Sequence, residues 1–277
     1  MKSAGMAGDP SYADLARPPL PVQRIRDAAL RVPPWRELHV LAEAGSTSDV
    51  VATAARAGQP EGLVVVAEQQ TGGRGRLGRE WVSPPRAGLT FSVLLRPAAP
   101  ADRWPTLPLL AGVALARALG ERTGLDVRLK WPNDLLVADR KLGGILAEVA
   151  GGAVVVGIGV NVSTTAEELP GPPATSVAIE LAGEPADRTP LLLAALRHLG
   201  PLYEEWQRVD GAPDAVLPAY RELCATLGRD VRVTMPAGVD VVGVADSVDD
   251  DGCLVVRRPD GSATAVSAGD VVHVRPE

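Results

Sequence analysis

Aromatic residues, cysteines and histidines are scarce in this chain of 277 residues, and each scarcity narrows the classes of protein to which it can belong. Phe, Trp and Tyr make up only 3% of the sequence, so the core must be built mainly from Val, Leu and Ala. The two cysteines, Cys224 and Cys253, form no C-x-x-C motif and give no sign of a disulfide framework. The histidines His39, His198 and His273 lie far apart and show no metal-ligand spacing, so a zinc site is not expected.

Long apolar segments and an excess of positive charge are also missing. No apolar run approaches the ~20 residues needed to span a bilayer. No continuous apolar region precedes Pro18-Pro19, so we expect neither a membrane helix nor a signal peptide. The net charge of −6 argues against bulk electrostatic binding to nucleic acid. With 46% hydrophobic and 22% charged residues, the chain is predicted to be a globular protein of the cytoplasm.

The composition changes twice along the chain and divides it into three parts. Residues 1–35 are rich in Ala, Arg and Pro, and predict a loosely ordered leader with a short helix at 22–31, too short to hold a core of its own. Residues 36–227 contain apolar strands interspersed with helices. Residues 228–277 contain short Val-rich strands with turn residues at spacings of about ten, a pattern typical of a small β-barrel.

Hydrophobic periodicity and turn residues locate the elements of the central part. Strands are predicted at 37–42, 63–67, 89–95, 127–130, 135–137, 145–150 and 153–162. Helices are predicted at 46–57, 108–122, 190–208 and 213–227. Gly151-Gly152 accepts positive φ at both positions and predicts a two-residue hairpin turn between the last two of these strands.

A glycine-rich segment with three arginines follows the strand at 63–67. Its Gly73-x-Gly75-x-x-Gly78 pattern matches the dinucleotide-binding fingerprint, which requires a helix that opens at the last glycine. Pro84-Pro85 would break such a helix, so a nucleotide-binding dehydrogenase fits poorly. No Gly-Lys-Ser/Thr follows either, which excludes a Walker phosphate loop.

Two interpretations of this segment remain. The simpler one is a flexible surface loop, because isolated arginines usually face water. The other is a mobile lid over an anion, because glycines let the backbone fold close to a ligand and guanidinium groups form paired hydrogen bonds with phosphate or carboxylate. The arginines are Arg74, Arg76 and Arg79, and their position soon after a buried strand favours the lid.

Three further motifs place polar groups at the ends of strands. Lys130-Trp131-Pro132-Asn133-Asp134 closes a strand with a sharp turn; turn chemistry alone explains its last three residues, but a lysine beside a carboxylate is also suited to phosphate and Mg²⁺. Lys141-Leu142-Gly143-Gly144 leads into the next strand, and its glycines permit close approach of a ligand, although a single turn lysine is usually just solvated. Asn161 ends a glycine-bearing strand, where a capping role is the simpler alternative.

Taken in their order along the chain, these motifs strongly resemble those of the biotin–protein ligase family. The matching segments are Gly45-Ser46-Thr47-Ser48, Gln70 with Gly73-Arg74-Gly75-Arg76-x-Gly78-Arg79-x-Trp81, Lys130-Trp131-Pro132-Asn133-Asp134, Lys141-Leu142-Gly143-Gly144-Ile145-Leu146 and Gly157-Ile158-Gly159-Val160-Asn161. The resemblance covers the chain from about residue 37 to its C-terminus. It implies an α/β catalytic domain at 36–227, with a mixed β-sheet flanked by helices as in lipoate ligases and class II aminoacyl-tRNA synthetases, and an SH3-like barrel at 228–277.

The resemblance also implies roles for individual residues. Lys141 and Arg76 are expected to be catalytic. The residues expected to contact biotin are Ser46, Thr47, Ser48, Gln70, Gly73, Arg74, Gly75, Arg76, Lys141 and Gly144. Those expected to contact ATP or the adenylate are Arg74, Arg79, Trp81, Lys130, Asn133, Asp134 and Asn161. Mg²⁺ is expected to arrive with ATP, and its direct protein ligands are not identified.

Three positions depart from the family's usual residues. Ser48 stands where the family commonly has Asn, and it keeps a hydroxyl but shortens the reach. Thr71-Gly72-Gly73 replaces the frequent Gln-Ala-Gly, and Leu142-Gly143-Gly144 replaces Leu-Ala-Gly. The last two changes alter bulk or flexibility without removing a charge.

The activity implied by the resemblance is ATP-dependent activation of biotin as biotinyl-5′-AMP, followed by transfer to a lysine of a biotin carboxyl carrier protein. A lipoate or octanoate ligase on the same fold would lack the full glycine–arginine loop. A biotin sensor or repressor would need a DNA-reading module, and the leader is too short for a winged helix. We therefore expect a ligase whose partners are biotin, ATP and a carrier domain, without DNA or membrane.

Overall fold

The computed structural model describes residues 17–171, 173–184, 186–235 and 238–274. Its strands are β1 (Glu37–Leu41), β2 (Leu63–Ala67), β3 (Gly73–Arg74), β4 (Glu80–Trp81), β5 (Gly88–Leu95), β6 (Arg128–Lys130), β7 (Asp134–Val137), β8 (Arg140–Ala150), β9 (Ala153–Asn161), β10 (Asp230–Thr234), β11 (Asp240–Val248), β12 (Leu254–Arg257), β13 (Ala263–Val266) and β14 (Asp270–His273). Its α-helices are α1 (Val22–Ala29), α2 (Thr47–Arg56), α3 (Leu107–Thr123), α4 (Val177–Glu180), α5 (Arg188–Arg208) and α6 (Leu217–Leu223).

Seven of the described strands form the main sheet, in the order β1-β2-β5-β9-β8-β7-β6. Strands β1 and β2 run parallel and every other neighbouring pair is antiparallel, so the sheet is mixed as expected. Helix α2 covers one face, and α3 and α5 cover the other. Because β2, β5 and β9 are buried along their whole length, their sequences are nearly continuous apolar runs.

Two tight turns shape the antiparallel part of this sheet. Gly151 and Gly152 have φ of 55° and 67°, which confirms the two-residue hairpin predicted between β8 and β9. The turn before β8 is shorter than the sequence pattern indicated. Ala138 and Asp139 form it with positive φ, and the strand already begins at Arg140. Lys141 is therefore a strand residue, not a turn residue.

The helix predicted at 213–227 is too long. A short 3-10 helix occupies Pro213–Ala215, and α6 ends at Leu223. The residues that follow are bound to the edge of the main sheet, since the Ala225 N–H donates to the Leu129 carbonyl at 2.8 Å. Tertiary pairing with β6 thus overrides the local preference for helix in this segment.

The leader differs from expectation where it is described. Residues 1–16 lie outside the described residues, but 17–35 pack on the main domain instead of being loosely ordered. Helix α1 lies within the predicted 22–31 and buries Ile25 and Ala29. Trp35 is 3% exposed, and its indole N–H donates to the Leu196 carbonyl at 2.9 Å. The segment needs no core of its own because it shares the core of the main domain.

The C-terminal strands form a separate antiparallel sheet in the order β13-β12-β11-β10-β14. Buried and exposed residues alternate along β10 and β11, as expected for strands with one covered face. This domain contacts the main domain near the end of β6, where the Trp131 indole N–H donates to the Gly252 carbonyl at 3.0 Å. No helix in the described ranges has both the length and the apolar character needed to cross a bilayer.

Candidate active site

A cavity of about 410 Å³ opens between the main sheet, the glycine–arginine loop (residues 70–82) and the C-terminal domain. All the residues predicted from the sequence to form the site line it, with the exception of Gly73. These are Ser46, Thr47, Ser48, Gln70, Arg74, Gly75, Arg76, Arg79, Trp81, Lys130, Asn133, Asp134, Lys141, Gly144 and Asn161. Gly73 lines a neighbouring pocket that the loop forms with Leu146 and Glu148. Segments far apart in the sequence thus meet at one place.

The floor of the cavity carries the polar residues at the start of α2. Ser46, Thr47 and Ser48 are all buried. The Thr47 backbone N–H donates to the Gln70 side-chain carbonyl at 2.8 Å, and the Thr47 hydroxyl donates to the same oxygen at 3.0 Å. Gln70 is therefore fixed against the first turn of the helix. The floor offers neutral hydrogen-bonding groups with little access to bulk water.

Lys141 is held rigidly beside a carboxylate. Its Nζ lies 2.7 Å from Asp134 Oδ1. Its backbone is fixed on the other side, because its N–H donates to the Pro173 carbonyl at 2.6 Å and its carbonyl accepts from Thr175 N–H at 2.9 Å. The structure thus disfavours a freely solvated turn lysine and gives Lys141 a defined position in the wall.

Two other cations, Arg76 and Lys130, have no ion-pair partner within the described part of the chain. Burial lowers the pKa of both groups, and the nearby Asp134 carboxylate partly offsets this effect. Arg79 pairs with Asp270 at 2.8 Å, and Arg74 pairs with Asp49 at 2.5 Å. Removing a cation from water costs free energy, and a partly buried cation without a partner bears that cost unless an anion binds beside it. Arg76 and Lys130, unpaired among the described residues, therefore indicate a binding site for an anion.

The balance of charge around the cavity supports the same conclusion. Among the described residues, five cations line it against three carboxylates. The cations are Arg74, Arg76, Arg79, Lys130 and Lys141, and the carboxylates are Glu80, Asp134 and Asp270. The chain as a whole carries a net charge of −6, so the positive charge is concentrated here. Such a cavity attracts anionic ligands.

The glycine–arginine loop folds as a small hairpin. Strands β3 and β4 pair Gly73 with Trp81 and Arg74 with Glu80, and a 3-10 turn at Arg76–Gly78 closes the hairpin. No helix opens at Gly78, so the structure agrees with the rejection of a dinucleotide fingerprint. A Cβ at position 73 would lie 2.4 Å from the Trp81 carbonyl oxygen, which explains the glycine there. That the loop moves as a lid stays a prediction.

The Trp81 indole forms one wall of the cavity. A Cβ at position 159 would lie 2.5 Å from the ring, so the indole packs directly on the backbone of Gly159 in β9. Its Nε1 is buried and has no hydrogen-bond partner among the described residues. Glycine at 159 is required because any side chain would displace the ring.

The two asparagines have the structural bonds that turn and cap chemistry predicted. The Asn133 amide donates to the Ile145 carbonyl at 2.9 Å, and the Asn161 amide donates to the Thr175 carbonyl at 2.9 Å. Each bond ties a segment of the wall to its neighbour. Both residues nevertheless line the cavity, and their side-chain carbonyl oxygens accept no hydrogen bond from the described residues.

Sequence comparison identifies the chain's relatives. Residues 45–164 match the Biotin/lipoate A/B protein ligase family, and residues 226–274 match the Biotin protein ligase C terminal domain. The chain is 41% identical to the biotin–[acetyl-CoA-carboxylase] ligase of Mycobacterium tuberculosis over 270 residues, which cover 95% of this chain and 98% of the relative. The chain belongs to the biotin protein ligase family.

Solved structures of biotin protein ligases share the fold. The Aquifex aeolicus enzyme in complex with biotin and ATP superposes with a TM-score of 0.74 at 28% identity, over 87% of this chain and 100% of that one. The Leishmania major enzyme in complex with biotinyl-5-AMP superposes with a TM-score of 0.58 at 31% identity, over 85% and 100% of the two chains. The fold class expected from the sequence is confirmed for the mixed sheet with its helices and for a C-terminal antiparallel β domain.

Several residues that line the cavity were not predicted from the sequence. Gly269, Asp270 and Val271 reach it from the C-terminal domain, at the start of β14. Pro170 and Ala174 reach it from the segment between β9 and α4. No local motif marks these residues, because only the packing of distant segments brings them to the site.

Proposed function

We propose that this protein attaches biotin to a carrier protein in two steps. The biotin carboxylate first attacks the α-phosphorus of ATP, which forms biotinyl-5′-AMP and releases pyrophosphate. The ε-amine of a lysine on a biotin carboxyl carrier protein domain then attacks the mixed anhydride, which forms an amide bond and releases AMP. Family membership and the chemistry of the cavity support both steps.

The observation that carries the proposal is the pairing of a neutral polar floor with a cationic wall in one cavity. Biotin has an uncharged polar ring and an anionic tail, whereas ATP is strongly anionic. Carboxylate and phosphate repel one another, so bringing them together requires compensating positive charge. Lys130 and Arg76, which lack carboxylate partners within the described residues, would supply it.

Lys141 is the group best placed to act on the reacting atoms. Its ammonium is fixed by Asp134 and its backbone by the segment at 173–175. A cation held in place before the reaction stabilises the charge that develops on the phosphate without having to reorganise. We assign Lys141 and Arg76 the catalytic charge stabilisation.

The glycine–arginine loop would protect the intermediate. Water competes with the carrier lysine for the mixed anhydride, so the adenylate must be shielded until transfer. Arg74 and Arg79 hold the two sides of the loop through ion pairs with Asp49 and Asp270, and both pairs are largely exposed. Exposed pairs of this kind are weak, which suits a loop that must open for entry and close over ligand.

The remaining predicted contacts fit the two ligands. The hydroxyls of Ser46, Thr47 and Ser48 and the Gln70 amide suit the ring of biotin, with Gly144 and Gly75 allowing close approach. The flat face of Trp81 suits the adenine base, and Asn133, Asp134 and Asn161 line the part assigned to the nucleotide. Gly73 would act indirectly, because the lack of a side chain there leaves room for the Trp81 backbone carbonyl.

Magnesium would enter this site together with ATP. Within the described ranges no group of three or more His, Cys, Asp or Glu residues could hold a metal ion. Mg²⁺ is commonly bound through substrate phosphates with one or two carboxylates, and Asp134 and Asp270 line the cavity. These residues fit the ion, which would neutralise phosphate charge when bound.

The test is a transfer assay with purified protein, Mg²⁺, ATP, a carrier domain and either labelled biotin or labelled lipoate. The proposal predicts that biotin is incorporated into the carrier lysine and lipoate is not. Incorporation of lipoate alone would identify a lipoate ligase, and tight biotin binding without turnover would identify a sensor. The cytoplasmic location and the lack of a DNA partner stay predictions.

A further inference from the structure

Ser92 lies in the middle of β5, one layer behind the polar floor of the cavity. The residue is fully buried. Its hydroxyl oxygen is 2.8 Å from the Thr47 hydroxyl and 3.0 Å from the Ser48 hydroxyl. It belongs to none of the sequence motifs, yet it contacts two of the residues assigned to biotin. Its role depends on which of these hydroxyls donate and which accept.

A backbone donor fixes the first step of this hydrogen-bond chain. The Thr47 backbone N–H can only donate, so the Gln70 atom that it contacts at 2.8 Å must be the carbonyl oxygen and not the amide nitrogen. The Thr47 hydroxyl is 3.0 Å from that oxygen. A carbonyl oxygen cannot donate, so the Thr47 hydroxyl gives its proton to Gln70.

The directions of the two remaining bonds follow, because each hydroxyl carries only one proton. The proton of Thr47 is already used, so Ser92 donates to Thr47. The proton of Ser92 is then used as well, so Ser48 donates to Ser92. The hydroxyls form one directed chain that runs from Ser48 through Ser92 and Thr47 to Gln70. Ser48 therefore has only lone pairs left to offer to a ligand.

The strand beside β5 leaves space for this arrangement. Gly157 on β9 lies directly opposite Ser92 in the strand register. A Cβ at position 157 would lie 2.3 Å from the Ser48 hydroxyl oxygen and 3.5 Å from that of Ser92. Any residue other than glycine would push Ser48 away from Ser92 and break the chain at its first bond.

We propose that Ser92 is a positioning residue that makes the floor of the cavity an acceptor of ligand N–H groups. The proposal rests on the function proposed above and specifies how the biotin ring is chosen. A cyclic urea offers two N–H donors and one carbonyl acceptor. Ser48 would accept an N–H, whereas the Gln70 amide nitrogen, at the free end of a fixed side chain, would donate to the carbonyl.

The same arrangement selects against a ligand without ring N–H groups. The dithiolane ring of lipoate has none, so it would leave the buried Ser48 oxygen unpaired. A site built to bind an N–H rejects analogues that lack it far more strongly than an apolar pocket rejects a change of size. Ser92 would thus act on specificity through Ser48, without contacting the ligand.

The test compares Ser92→Ala with Thr90→Val by steady-state kinetics on the full chain. Thr90 is a matched control because it is also buried on β5 and its hydroxyl donates to the Ala67 carbonyl, outside the chain of hydroxyls. Ser92→Ala should raise the KM for biotin about tenfold, the value of one lost neutral hydrogen bond, and leave kcat and the KM for ATP within about twofold. Thr90→Val should leave all three within about twofold. Equal biotin KM values in the two variants would overturn the proposal.

Two further variants separate positioning from a general loss of structure. Ser92→Thr keeps the hydroxyl and should restore most of the affinity for biotin. Ser92→Cys has nearly the size of serine but a weak donor, and it should raise the KM for biotin even where Ser92→Ala fails to fold. If Ser92→Cys retains the wild-type KM, the proposal is wrong.

A double-mutant cycle checks that Ser92 acts through Ser48. Ser48→Ala should weaken biotin binding several-fold in the wild-type background but by less than about twofold in Ser92→Ala, because the directed chain is already lost. If the double variant loses affinity for biotin by the product of the factors measured for the two single variants, the proposal is contradicted. Failure of the wild-type protein to turn over biotin would refute the proposed function itself, whereas wild-type turnover with an indifferent Ser92 would refute only the present inference.

Discussion

The guanidinium of Arg79 lies 2.8 Å from the carboxylate of Asp270, so an ion pair joins the glycine–arginine loop to the last strand of the C-terminal domain. Both residues line the cavity. The C-terminal domain is therefore in direct contact with the loop proposed to cover the adenylate.

Asp270→Asn should loosen the loop with little effect on stability. The pair is about half exposed, so its loss should lower the free energy of unfolding by less than about 1 kcal/mol. Release of free biotinyl-AMP into solution should rise several-fold, measured by chromatography without carrier. Asp246→Asn breaks a comparable pair with Arg257 in the same domain and serves as the control. Equal leakage from both variants would show that the contact does not restrain the loop.

Arg76→Ala should weaken retention of the adenylate or affinity for biotin by about tenfold or more, because a partly buried cation facing the anions is removed. Calorimetry with biotin and the adenylate-release assay measure the two effects. Arg117 is exposed on α3 and does not line the cavity, so Arg117→Ala should behave as wild type. Unchanged affinity and retention in Arg76→Ala would remove the basis for the lid.

Lys141→Ala should reduce adenylate formation by about a hundredfold or more, the usual cost of losing one prearranged charge in the transition state. The fold should persist, since the strand is held by backbone bonds. Biotin-dependent pyrophosphate exchange measures the loss. Arg140→Ala alters the preceding residue of β8, which pairs with Glu180 and does not line the cavity. Normal exchange in Lys141→Ala, or an equal loss in both variants, would contradict a catalytic role.

Trp131→Phe should uncouple the C-terminal domain from the end of β6. The change leaves the Gly252 carbonyl without its donor and should lower the free energy of unfolding by about 1 kcal/mol. Because Lys130 is the adjacent residue, the KM for ATP should also rise several-fold. Trp35→Phe removes a similar buried bond, to the Leu196 carbonyl, far from the cavity, and should cost stability alone. A rise in KM for ATP in both variants would show that the effect is not local.

His273 should make stability depend on pH in the acidic range. Burial lowers the pKa of His273 from 6.5 to about 4, with smaller contributions from Lys130 and Arg229 and an opposing one from Asp139. The unfolded chain then takes up a proton that the folded chain does not, so the free energy of unfolding falls as the pH drops from about 6.5 to about 4. In the His273→Gln variant the free energy of unfolding should fall less over this pH range. In the control variant His39→Gln it should fall as in the wild type. Denaturant titrations across this pH range measure the free energy of unfolding. The same pH dependence in the wild type and in His273→Gln would contradict the assignment.

Local patterns were sufficient to predict most of the main domain. Strand β2 was predicted residue for residue, because a strand buried on both faces is a short continuous apolar run bounded by turn residues. The Gly151-Gly152 turn was equally clear, since few residues other than glycine tolerate positive φ at both positions. The motifs of the cavity were found because each combines a charge or amide with glycine or proline at a strand end.

Tertiary contacts account for what the sequence did not reveal. Asp270 looks like any exposed residue of a small β domain until that domain packs beside the loop. Ser92 lies within an apolar strand and has no distinguishing neighbour in sequence, because its partners come from the start of α2. Helix α6 ends early because its downstream residues bind the sheet edge, and Trp35 is buried by a helix much later in the chain.

The most direct measurement of the central claim is the amount of biotinyl-AMP held by the purified protein in the absence of a carrier. With Mg²⁺, labelled ATP and biotin, rapid gel filtration should recover about one adenylate per chain, and addition of a carrier domain should discharge it to the carrier lysine. No nucleotide adduct that depends on biotin, or an adduct that escapes and hydrolyses as fast as it forms, would contradict a cavity that joins two anions and shelters their anhydride.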